Sequence, residues 1–97
     1  MFVKRNDILA RFGGEEFLLL LPQTSRANGV KVAESLRKKI QSLAIKKKNS
    51  DEFLGQITLS LGVSELEFEQ QLTEGIDLAD QALYQSKHSG RNCVNSK

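Results

Sequence analysis

At 97 residues, with 39% hydrophobic and 27% charged content and one proline, the chain has the size and composition of one small ordered domain, near the lower limit at which a core alone sustains a fold. Its longest strictly apolar run, Phe17 to Leu21, is far below the roughly 20 residues of a membrane span, and no secretory layout opens the chain, so the expectation is a cytoplasmic protein without a membrane segment. A net charge of +2 argues against a nucleic-acid partner, and the single cysteine, Cys93, excludes an internal disulfide or a thiolate metal cluster.

Along the chain, Asp7 to Phe12 alternates, with Ile8, Ala10 and Phe12 on one side, and predicts a strand. Gly13 and Gly14 suit a two-residue hairpin turn. Glu15 to Leu21 returns as a second strand, whose apolar run predicts burial on both faces inside a sheet covered by helices. Pro22 ends that strand, and Thr24 or Ser25 is placed to cap a helix. Val30, Ala33, Leu36, Ile40 and Leu43 make its apolar stripe, with Lys31, Glu34, Arg37 and Lys38 opposite.

Lys46, Lys47 and Lys48 read as a solvated loop. Ile57, Leu59, Leu61 and Val63 then alternate with polar or small residues as a strand, where Gly62 points to close approach of a ligand or a neighbouring element. Glu65 to Glu74 is acidic and irregular, a loop or short helix. Ile76, Ala79, Ala82 and Leu83 form the stripe of a final helix, Gly90 suits its left-handed end, and Cys93 and Val94 start a last short strand. The predicted order is strand, strand, helix, strand, helix, strand, an α/β fold in which helices pack on a sheet.

Two stretches carry candidate chemistry. At the Gly-Gly-Glu-Glu turn, a tip without side chains lets a ligand lie against backbone, and a neighbouring carboxylate suits a hard cation; a hairpin with solvated glutamates explains the same residues. At the end of the last helix, Lys87 and Arg91 complement the negative end of the helix dipole, and they also form a point charge and a fork able to hold phosphate. His88, with no acid, thiol or second histidine near it in sequence, reads as a surface residue. A metal carboxylate and a separate cation pair are together the parts of a nucleoside triphosphate site.

The stretches "RFGGEEF" (Arg11 to Phe17), "TLSLGVS" (Thr58 to Ser64) and "ADQALYQSKHSGRN" (Ala79 to Asn92) resemble, in order and spacing, the GGDEF domain of diguanylate cyclases. The resemblance implies condensation of two GTP molecules into cyclic di-GMP with magnesium or manganese, each subunit of a homodimer supplying one half-site. It implies that Gly13 and Gly14 clear room for GTP and that Glu15 coordinates the metal and takes part in activating the attacking 3′-hydroxyl. Glu16 is the second acid of the catalytic motif, and Lys87 and Arg91 contact the terminal phosphates.

The chain departs from the family pattern in two places. A helix and a central strand that carry a further metal-binding aspartate and base-recognising residues precede the hairpin in the family and are not encoded here. The expectation is therefore a partial domain over residues 1–97, inactive alone, whose unpaired sheet edge pairs with another copy, strand-swapped, or rearranges. Lys4 and Asp7 occupy the positions of an R-x-x-D allosteric site for the product, but lysine lacks the fork that grips a guanine edge. A second reading is a degenerate module that binds GTP or cyclic di-GMP, or mediates dimerisation, without turnover.

Overall fold

Alternation before the glycine pair and the apolar run after it fold back on one another as an antiparallel hairpin, β1 (Ile8–Gly13) with β2 (Glu16–Leu20). The computed structural model describes residues 8–13, 16–46 and 53–97. Gly14 and Glu15 at the turn, and Lys4 and Asp7 of the presumed allosteric stretch, lie outside the described residues. Ile8 pairs with Leu20 and Gly13 with Glu16, with a bulge between Arg11 and Gly13. A bulge twists a hairpin locally and re-aims its last side chains.

Helix α1 (Arg26–Gln41) is capped by Ser25, whose hydroxyl accepts from the Asn28 amide at 3.2 Å, while Thr24 bonds back to the Pro22 carbonyl. The Glu65 carboxylate, 39 residues away, accepts from the Arg26 amide at 2.8 Å and complements the positive end of the helix. After α1 the chain forms a second antiparallel hairpin, β3 (Ala44–Lys46) with β4 (Phe53–Gln56). This hairpin was not expected, since the lysine run reads as a loop; Lys46 ends a strand, whereas Lys47 and Lys48 lie outside the described residues.

The third unit is β5 (Leu61–Val63), α2 (Leu72–His88) and β6 (Val94–Ser96), a parallel strand pair joined across a helix. A parallel pair needs such a crossover. Gly62 answers the question its position raises: a Cβ there would overlap the Ala79 carbonyl and the Leu83 backbone, so it is the neighbouring helix that approaches. Below that contact Ser86 is fully buried, donating to the Leu61 carbonyl at 2.6 Å and accepting from Asn95 Nδ2 at 2.9 Å. Ala33 of α1 and Ala82 of α2 are the buried apolar side chains among the described residues, so the helices approach this small sheet over a core of small side chains.

Three expectations change. Strand β5 is shorter than its apolar alternation, because residues 57–60 have no described strand beside them and β6 is itself three residues long. Helix α2 starts at Leu72, within the stretch expected to be irregular, with Gln71 as an N-cap that makes no side-chain bond. Strand β2 is not buried on both faces: Phe17 is 65% exposed, since among the described residues β2 is hydrogen-bonded to β1 alone and the helices cover β5 and β6 instead. The mixed α and β class stands, but among the described residues the strands form three separate pairs in place of one sheet. Among the described residues, no helix is long and apolar enough to cross a membrane.

Candidate functional site

The acidic end of the first hairpin and the basic end of α2 meet in space. Lys87 Nζ donates to Glu16 Oε1 at 3.3 Å, across 71 residues of sequence. Both side chains are partly open to solvent, at 36% and 43% exposure. A shallow cleft of about 210 Å³ lies beside this pair, lined by Glu16, Asp80, Leu83, Tyr84 and Lys87. Gly13 pairs directly with Glu16, so the end of the glycine turn adjoins the ion pair through backbone alone. A ligand at this cleft meets a mobile ammonium, a carboxylate and a strand end.

Arg91 stands just past α2, in the loop that turns the chain into β6. The helix ends with the Ser89 amide on the Gln85 carbonyl and the Arg91 amide on the Ser86 carbonyl, both at 2.9 Å, and Gly90 takes the left-handed conformation expected of it. Arg91 and Asn92 continue in that region, with φ of 61° and 47°. The Arg91 guanidinium is exposed and, among the described residues, has no hydrogen bond or ion pair. A fork donor held at the surface without a partner is a group available to an anion. His88 is exposed, stacked on Tyr84 at a centroid distance of 3.9 Å, as a surface residue should be.

Of the expected site residues, the structure brings Gly13, Glu16 and Lys87 together and sets Arg91 four residues past Lys87, in the loop after α2; Gly14 and Glu15 are outside the described residues. Among the described residues no three histidine, cysteine, aspartate or glutamate side chains converge, and Glu16 is engaged with a cation; Glu15, the acid expected to hold the metal, lies outside them. Sequence reasoning passed over Arg37 and Asn92. Arg37 Nε and Nη2 hold both oxygens of Glu34 at 2.8 and 3.1 Å, and Nη1 reaches Asn92 Oδ1 at 3.0 Å. Glu34 and Arg37 stand three apart on one helix face, a spacing that signals an ion pair, but the lysines around them make the face look merely solvated.

Comparison with known proteins identifies the family. Residues 1–93 match the family model for the diguanylate cyclase GGDEF domain, and the chain belongs to that family. Diguanylate cyclase A of Treponema denticola is 41% identical over 93 residues, which are 91% of this chain and 23% of that protein. Diguanylate cyclase VdcA of Vibrio cholerae is 42% identical over 84 residues, 87% of this chain and 25% of that protein. The chain thus spans about a quarter of the length of these relatives. Among solved structures, the GGDEF domain of DgcB from Caulobacter crescentus, in complex with c-di-GMP, superposes with a TM-score of 0.90 at 33% identity, covering 98% of this chain and 56% of that one.

Proposed function

We propose that this chain is the phosphate-holding part of a diguanylate cyclase domain, which takes GTP and, paired with a second half-site, yields cyclic di-GMP. The observation that carries the reading is the meeting of the glycine hairpin with the basic end of α2, at Glu16 and Lys87, beside an Arg91 side chain that is exposed and without a partner among the described residues. Lys87 and Arg91 take the terminal phosphates, as a point charge and a fork, while Gly13 and Gly14 leave room for the nucleotide along the strand. Phosphoryl transfer needs mainly positioning and neutralisation of charge, which such groups supply. Magnesium or manganese enters this reading through Glu15, the acid next to the glycines, and supplies Lewis acidity to the phosphates when bound. The same reading makes the chain a cytoplasmic nucleotide enzyme acting as a homodimer, since one copy carries one half-site.

A second reading, binding without turnover, draws on the ion pair itself, in which Glu16 is held by Lys87 rather than free to serve a reaction. One experiment separates the two: the chain is incubated with GTP and magnesium, cyclic di-GMP is sought by chromatography, and both nucleotides are titrated by calorimetry. Cyclic di-GMP formation that is lost in Glu15→Gln, a change that keeps size and removes charge, establishes the enzyme. Saturable binding without product establishes the module. Absence of binding to either nucleotide rejects both.

A further inference from the structure

Gly90, Arg91 and Asn92 form a run of three left-handed residues, with φ of 112°, 61° and 47°. Glycine adopts such angles freely and asparagine more readily than most residues, whereas arginine keeps them only where the surroundings hold it. Two backbone bonds contribute: the Arg91 amide donates to the Ser86 carbonyl at 2.9 Å and the Asn92 amide to Ser60 Oγ at 3.2 Å. Within the run, among the described residues, the one side chain with a partner is Asn92, whose Oδ1 accepts from Arg37 Nη1 at 3.0 Å, 55 residues away. Arg37 is itself fixed. Its guanidinium spans both Glu34 oxygens and Gln41 Oε1, and its side chain is 15% exposed.

We infer that Arg37 is a positioning residue for Arg91. It holds the Asn92 side chain, and through it the left-handed backbone from which the Arg91 guanidinium is presented at the surface. A planar fork can satisfy Glu34, Gln41 and Asn92 at once, and an ammonium cannot reproduce that geometry. The inference rests on the reading of Arg91 as a phosphate contact, but its structural half does not. A purely structural Arg37 would tie α1 to the strand loop without affecting how Arg91 is displayed.

The test uses the full 97-residue chain. Arg37→Lys removes the fork and keeps the charge, and Asn92→Gly deletes the same contact from the other end with a residue that tolerates the backbone angle. Both variants are expected to move the Arg91 ¹³Cα shift and backbone coupling out of the left-handed range. Both are also expected to weaken GTP binding by about tenfold, the scale of one misplaced charged hydrogen bond, with guanosine binding unchanged. Adding Arg91→Ala to Arg37→Lys should cost nothing more than Arg91→Ala alone, because the two act as one unit. Arg91 retaining its left-handed signature in both variants overturns the inference, as does additive loss in the double variant. If Arg91→Ala alone leaves GTP binding intact, the phosphate reading of Arg91 fails, and the backbone readout still decides whether Arg37 positions it.

Discussion

Glu16 stands against Lys87 where a phosphate would also have to stand, so the carboxylate competes with the proposed ligand for the ammonium. The pair is too exposed to hold the fold together, since ion pairs in that setting stabilise by about 1 kcal/mol or less. Glu16→Gln is therefore expected to leave the urea midpoint almost unchanged and to tighten binding of inorganic triphosphate a few-fold, measured by calorimetry at low salt; unchanged affinity would remove Lys87 from the phosphate site. Glu34 gives a different signature. The hydrogen bond from Arg37, with the guanidinium charge adding to it and partial burial opposing it, holds the Glu34 carboxyl below its ordinary value. A lowered folded value means that this stabilisation is present above the ordinary glutamate pKa of about 4.3 and is lost as pH falls through the folded value. Acid unfolding followed by circular dichroism should accordingly show a shallower acid limb in Glu34→Gln than in the parent chain.

Among the elements, the unit of β5, α2 and β6 depends on backbone proximity more than on large side chains. Gly62→Ala would drive a methyl into the Ala79 carbonyl and the Leu83 backbone, neither of which can rotate away. The expected cost is more than about 2 kcal/mol, enough to remove the cooperative thermal transition of a small domain; a melting curve like that of the parent would contradict the close approach. Much of this architecture was legible in advance. The Ile8 to Phe12 alternation and the stripe from Val30 to Ile40 are local signals, of period two and of three to four, and each formed the element it indicated. What escaped was set by partners distant in sequence. The hairpin of Ala44–Lys46 with Phe53–Gln56 was hidden because the lysine run opens at the last residue of its short first strand, and residues 57–60 carry strand alternation without a described strand to pair with. The start of α2 bears no capping side chain, so nothing in the sequence marked Leu72. At the site, Lys87 and Arg91 were legible as cations at a helix end, whereas the bonds from Lys87 to Glu16 and from Arg37 to Asn92 cross 71 and 55 residues and leave no local trace.

At the scale of the whole molecule the hairpin of β1 and β2 is a separate pair from the sheet of β5 and β6, and no described strand lies between β2 and β5. The molecule is correspondingly long, 53 × 32 × 24 Å, with a radius of gyration of 14.8 Å against about 13 Å for a compact domain of this size. Ile8, Leu9 and Phe17 are 56%, 56% and 65% exposed on the hairpin, whose outer edges pair with no other strand among the described residues. Apolar side chains beside an open edge are a template for pairing with another chain, and burying them in a second copy removes the apolar area that one copy leaves in water. Sedimentation velocity is expected to show a concentration-dependent shift from monomer to dimer. Phe17→Lys should suppress that shift at little cost to the fold, because the side chain it replaces is already largely in solvent and a lysine at an exposed strand position repels a second edge. A parent chain that sediments as a single monomeric species from micromolar to millimolar concentration would show that the open hairpin face does not need a partner.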